Sequence, residues 1–229
     1  GFRPDAAIIK RILALGASSF VMGFTDSLVQ VACNSTLSAF GGDLYISVMT
    51  VINSVRQLAQ TPVLALADGA SPVISYNYGA RMADRVRAAI RFMTQLGFGY
   101  TLLIWGFISL FPETFIRIFN PDPELLAIAV PSLHIYFFGF VMMAFQFSGQ
   151  SVFKSLNKAK LAIFFSLLRK AIIVVPLTLL LPHVGGLGVN GVFLAEPISN
   201  LIGGLACYIT MRCTVMPELS AMERAKSAR

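Results

Sequence analysis

Six stretches of twenty or more mostly apolar residues follow one another along this chain, at 12–39, 45–76, 89–111, 125–148, 161–181 and 189–211. No other feature constrains the fold as tightly. About 20 apolar residues in a helix cross the hydrocarbon layer, and a backbone in lipid has to satisfy its own hydrogen bonds, so each stretch is predicted as a transmembrane helix. Membrane-barrel strands alternate polar and apolar residues over about ten positions. These runs are continuous, which excludes a barrel. The expected fold is all-α and integral to a membrane, with the lipid bilayer as its first partner.

The remainder of the sequence agrees. Hydrophobic residues make up 56% and charged residues 13%, with mean hydropathy +0.73, about half the charge of an ordinary soluble domain. A net charge of +7 would suggest nucleic acid in a soluble protein, but here the basic residues collect between the apolar runs, and nucleic-acid binding is rejected. Counted loop by loop they alternate: Arg3, Lys10 and Arg11 before the first run, none after it, Arg81, Arg85, Arg87 and Arg91 after the second, Arg117 alone after the third, Lys154, Lys158 and Lys160 after the fourth, none after the fifth, and Arg212, Arg224, Lys226 and Arg229 after the sixth. By the positive-inside rule both termini face the cytoplasm of a multi-pass protein of the cell (plasma) membrane. Residues 212–229 then read as a cytoplasmic tail. RMADRVRAAIRF, from Arg81 to Phe92, reads as a short helix lying on that surface.

Polar groups inside the runs are the functional candidates, because an ionised side chain at mid-membrane costs about 2.5–3.5 kcal/mol on insertion scales. In the first run Asp26, Gln30 and Asn34 fall at i, i+4, i+8, one stripe of a helix. Asn53, Arg56, Gln57 and Gln60 share a face of the second. Gln146 and Gln150 do so on the fourth, and Glu196 and Asn200 on the sixth; Arg169 and Lys170 lie inside the fifth. Stripes that cannot face lipid face one another or a water-filled space, so an aqueous cavity within the bundle is expected. The alternative for the glutamines is interhelical bonding. For Arg56 and Arg169 the alternative is structural pairing with Asp26 or Glu196. His134 stands alone on an aromatic stretch and reads as a hydrogen-bonded structural residue. Cys33, Cys207 and Cys213 have neither disulfide nor zinc spacing, and no metal site is expected. Pro62, Pro72 and Pro176 are expected flexing points.

GASPVISYNYGAR, residues 69–81, breaks the apolar pattern with Gly69, Pro72, Tyr76, Asn77, Gly79 and Ala80. On position it is the cytoplasmic end of the second span, with Tyr76 and Tyr78 as headgroup anchors. Extended to GASPVISYNYGARMADRVR, it closely resembles the end of the eighth helix in multidrug and toxic compound extrusion (MATE) transporters. LALGASSF, NSTLSAFGGD, FKSLNKAK and GVNGVFLAEPIS resemble other segments of that family's carboxy-terminal half, so the resemblance covers nearly the whole chain.

The resemblance implies one six-helix lobe of a twelve-helix secondary antiporter, with residues 1–11 as the connector between lobes. Its expected partners are small amphipathic or cationic substrates and an amino-terminal lobe missing from this chain, or a second copy in its place. Such proteins export organic cations, drugs or metabolites in exchange for Na+ or H+, with no cofactor. Asp26 falls ten positions after Gly16, where some branches carry a cation-coupling acid. The same branches have an acid in helix ten where Met143 stands here, so the coupling ion is left open. A lipid-linked oligosaccharide flippase of the same helix plan is the alternative, disfavoured because Arg56, Arg169 and Lys170 are the only cations in the spans. A membrane-embedded enzyme is more distant: His134, His183 and Glu196 carry no HExxH or GxSxG pattern.

Overall fold

In the computed structural model the backbone is described for residues 6–227, and side chains for Phe20 and residues 23–225. Among these residues all regular structure is helical. It comprises α1 (Ala6–Gly41), α2 (Asp43–Gly79), α3 (Ala83–Leu110), α4 (Pro112–Arg117), α5 (Pro123–Phe137), α6 (Met143–Ser155), α7 (Ala159–Leu167), α8 (Val175–Leu180) and α9 (Val189–Ser227), with a π-helical stretch at Leu168–Val174 and 3-10 turns at Phe140–Met142 and Leu181–His183. The six apolar runs recur as six long rods: α1, α2, α3, α5 with α6, α7 through α8, and α9. Among the described residues three of them, 83–110, 159–183 and 189–225, are long and apolar enough to cross a membrane by length and composition; α5 with α6 makes a fourth if the bent pair is one span. The 37 residues of α2 supply ample length, but the rod also carries Asp43, Asn53, Arg56, Gln57, Gln60 and Asp68.

The turns are set by local chemistry. Gly42 alone separates α1 from α2, at φ 75°, where a side chain is disfavoured. YNYGAR is a helix terminator: the Arg81 N–H donates to Tyr78 O at 3.0 Å and the Met82 N–H to Asn77 O at 2.9 Å, with Arg81 at φ 57°. That is a Schellman cap. The end of α6 repeats it with Asn157 at φ 57°, Asn157 N–H on Lys154 O at 3.1 Å and Lys158 N–H on Phe153 O at 2.7 Å. Asp122 caps α5, its Oδ1 accepting from the Glu124 N–H at 3.0 Å ahead of Pro123 at the first turn.

One expectation is corrected. The Arg81–Phe92 segment is not a separate surface helix, because residues from Ala83 onward form the first turns of α3. Its apolar stripe, Val86, Ile90 and Met93, is buried in a cluster with Met211, Val215 and Leu219 of α9, so the partner of that stripe is protein rather than headgroups. Residues 212–227 of the expected cytoplasmic tail continue α9 as helix, and 228–229 lie outside the described residues. Of the 1–11 connector, residues from Ala6 already belong to α1, and 1–5 lie outside the described residues. Tyr76 is 75% exposed as an anchor would be, but the Tyr78 hydroxyl donates to Glu218 of α9, which also takes the Lys158 ammonium.

One break between helices lies away from the expected prolines. α2 runs through Pro62 and Pro72 as one helix, although each proline removes a backbone donor. The fourth rod bends by 43° at the join of α5 to α6, where no proline stands. There Gly139 lies against α9, and a Cβ on it would sit 2.5 Å from Pro197 O. Without a hydrophobic drive between helices in lipid, such small-residue contact is what holds rods together. Of the three expected prolines, Pro176 is the one beside an irregular stretch. It lacks the N–H that would bond one turn back, and the turns before it widen into the π stretch.

Candidate functional site

A cavity of about 400 Å³ opens among α1, α2, α5, α6, the π stretch, α8 and α9. Nine of the twelve polar residues expected to line such a space do so: Asp26 and Gln30 from α1, Asn53, Arg56, Gln57 and Gln60 from α2, Gln150 from α6, Arg169 from the π stretch and Glu196 from α9. The α2 set lies on the cavity as a whole, whereas the stripes of α1, α6 and α9 each leave one member off it. Asn34, Gln146 and Asn200 do not line it. Gln146 is buried with neither amide atom bonded, and Asn34 Oδ1 is likewise buried without a partner. Asn200 stands behind the cavity wall, its Oδ1 accepting from Arg169 Nη1 at 2.6 Å.

The charged groups form two clusters. Glu196 Oε1 accepts from Arg56 Nη1 at 2.9 Å and from Arg169 Nη1 at 3.0 Å, and its side chain is only 8% exposed. Ser199 Oγ donates to the Arg169 carbonyl at 2.8 Å, fixing the π stretch to α9. The second cluster is the ion pair of Lys170 with Asp26, whose side chain is 54% exposed. The consecutive Arg169 and Lys170 of the π stretch both line the cavity, as the consecutive Arg56 and Gln57 of α2 do. Gln60 Nε2 donates to Gln57 Oε1 at 2.9 Å and the Tyr136 hydroxyl to Asn53 Oδ1 at 3.2 Å, which orients the amides of the α2 face.

Sequence reasoning missed Lys154, Asp68 and Tyr136 as lining groups. The first two were accessible to the spacing rule itself. Lys154 continues Gln146 and Gln150 by one more step of four, and Asp68 lies two such steps beyond Gln60. With them the cavity is lined by four basic side chains (Arg56, Lys154, Arg169, Lys170) and three acidic ones (Asp26, Asp68, Glu196). One positive charge is in excess.

Neither histidine lines this space. His134 sets Nδ1 3.0 Å from Val130 O and Nε2 3.1 Å from Ser109 O, the hydrogen-bonded structural role expected of it. His183 lies edge-on to Phe40. Among the described residues no three His, Cys, Asp or Glu side chains are gathered as a metal site.

The family model described as MatE matches residues 18–180. A curated relative, a FAD transporter of Shewanella oneidensis, is 23% identical over 175 residues, 76% of this chain and 36% of the relative. Solved structures agree in fold. A MATE protein in its bent conformation superimposes with a TM-score of 0.87 at 21% identity, over 99% of this chain and 49% of that one. An outward-facing multidrug resistance MATE transporter of the MOP superfamily gives 0.85 at 21% identity, over 97% and 49%. A MOP superfamily transporter of Pyrococcus furiosus, reported with a binding pocket of reversed polarity, also gives 0.85 at 21%, over 97% and 49%. The chain thus spans about half the length of these structures, and about a third of the curated relative.

Proposed function

The chain belongs to the MatE family, a family of multi-pass membrane transporters, and from that premise we propose that it forms one lobe of a secondary antiporter. In this reading it lies in the plasma membrane with both termini in the cytoplasm. A second lobe completes the path, supplied by a longer chain or by a second copy. The cavity faces that second lobe, and Na+ or H+ drives export of organic cations, drugs or metabolites.

The observation that carries the reading is the contrast between the two carboxylates. Glu196 is held by two guanidinium groups and has little affinity left for a third cation. Asp26 is more than half exposed and has one partner, Lys170. A proton or Na+ arriving at Asp26 therefore competes with a single ammonium group. When Asp26 is neutralised, the lining excess rises from one positive charge to two, and a cationic substrate is repelled from the cavity. Coupling ion and substrate then exclude each other, as exchange requires. Each charge moved across 100 mV contributes about 2.3 kcal/mol, enough to shift a two-state equilibrium by more than tenfold. Asp26→Asn in the intact protein is expected to abolish gradient-driven ethidium export with expression retained; unchanged export removes Asp26 from the mechanism.

A second reading concerns the substrate. The positive excess, together with the name of the Shewanella relative, supports a phosphate-bearing anion. A flavin dinucleotide and a lipid-linked pyrophosphate sugar both belong to this class. Its acceptors would be drawn to Arg56, which has a buried Nε without a partner, and to Lys154. Export of FAD that is lost in Arg56→Gln, with ethidium export intact, would favour this reading over the first.

A further inference from the structure

A second concavity, of about 670 Å³, lies between α3 and the extension of α9, at the end of the bundle that the basic-residue pattern assigns to the cytoplasm. It is lined by Arg87 and Arg91 from α3 and by Arg212, Ser220, Glu223 and Arg224 from α9, with Tyr208 and Thr94 towards the membrane. Arg87 is already engaged: its Nη1 donates to Glu223 Oε1 at 2.6 Å and Oε2 at 2.8 Å, and its Nη2 to Ser220 Oγ at 2.8 Å. That network consumes the one acid lining the concavity. Arg91, Arg212 and Arg224 have no ion pair among the described residues. The other acids nearby are committed, Asp84 to Arg87 at 3.9 Å and Glu218 to Lys158 and Tyr78.

We propose that Arg91, Arg212 and Arg224 form a binding site for the phosphate headgroup of an anionic phospholipid. Three guanidinium groups without an ion pair line one hollow, each a forked donor that matches phosphate oxygens. The same two helix stripes continue towards the membrane as exposed apolar surface, with Leu102 on α3 and Leu205 on α9. A ligand with a charged head and greasy chains fits both parts, whereas a soluble anion uses only the first. Basic pockets between helices on the cytoplasmic side are a recognised means of holding acidic lipids. The site is separate from the ion-pair cavity and shares no residue with it.

The test is a titration of the purified full chain in neutral detergent with phosphatidylglycerol, counting bound lipid by native mass spectrometry. Phosphatidylcholine of the same chains and inorganic phosphate run alongside. The triple variant R91Q/R212Q/R224Q is expected to weaken phosphatidylglycerol binding on the order of a hundredfold. A charge-matched control on the same face, R81Q/R85Q/K160Q, is expected to leave it within about threefold, as a local rather than a diffuse attraction requires. If the triple variant does not fold, R212Q alone serves, with a loss of about fivefold. Equal losses in triple variant and control, or phosphatidylcholine binding as well as phosphatidylglycerol, overturn the proposal. Inorganic phosphate binding as tightly as the lipid also overturns it, marking a free-anion site instead.

Discussion

Arg56 on α2 and Glu196 on α9 meet at 2.9 Å across 140 residues of sequence, and the same carboxylate oxygen takes a second bond from Arg169. A carboxylate shared by two guanidinium groups at low exposure ties three rods around the cavity. Removing the negative charge leaves both arginines uncompensated. Glu196→Gln is therefore expected to destabilise the lobe by about 3–5 kcal/mol, read as a lower denaturation midpoint in detergent. A midpoint unchanged from wild type would mean that water in the cavity already screens the pair.

Gly139 predicts a packing defect of a different kind. A methyl group there would overlap the Pro197 carbonyl at 2.5 Å, and backbone cannot swing aside as a side chain does. Gly139→Ala should cost about 1–3 kcal/mol and straighten or shift the bend between α5 and α6. Thermal melting measures the first, and the distance between spin labels placed on α5 and α9 measures the second.

The αL position of Arg81 is a stability reserve. A non-glycine residue pays about 1–2 kcal/mol there, and the Arg81 side chain is exposed. Arg81→Gly should raise stability by up to about 1 kcal/mol, seen as a higher melting temperature with the α2 terminus unchanged.

Glu218 makes the α9 extension sensitive to pH. Hydrogen bonds from Lys158, then Tyr78, hold its carboxyl below the ordinary carboxylate range. A lowered folded-state pKa gives stability that is present above the unfolded value of about 4.3 and is lost as pH falls through the folded one. On the alkaline side the bond to Glu218 pushes Tyr78 up to about 12. That contribution is complete below the unfolded value of about 10 and disappears as pH rises towards 12. Hydrogen exchange over 212–225 should therefore accelerate at both extremes, and Glu218→Gln should flatten both limbs.

Much of this architecture was legible because membrane helices declare themselves by length and because four-residue spacing fixes a face. Spacing placed Asp26, Asn53 and Gln150 on the cavity, but the stripe neighbours Asn34 and Gln146 are off it. Asn200 shows the limit of the rule: it shares a face with Glu196 yet sits behind Arg169, since spacing gives an angle around a helix but not the depth of a neighbour. Partner choice was equally out of reach. Asp26 and Glu196 were both open to Arg56 and Arg169, and the pairing of Lys170 with Asp26 depends on how the fifth rod lies against α1. The bend at Gly139 depends on how close α9 comes, a contact between segments nearly sixty residues apart. The apolar stripe of Arg81–Phe92 was real but was assigned to lipid, because its buried counterpart lies in the last helix.

The account stands on a water-filled cavity shared by the polar stripes, and thiol labelling tests that most directly. With Cys33, Cys207 and Cys213 replaced by serine or alanine, single cysteines at Asp26, Gln30, Asn53 and Gln60 should react with a membrane-impermeant maleimide, whereas a cysteine at the sealed Gln146 should not. Protection of all four lining positions, or labelling at Gln146 equal to theirs, would contradict it.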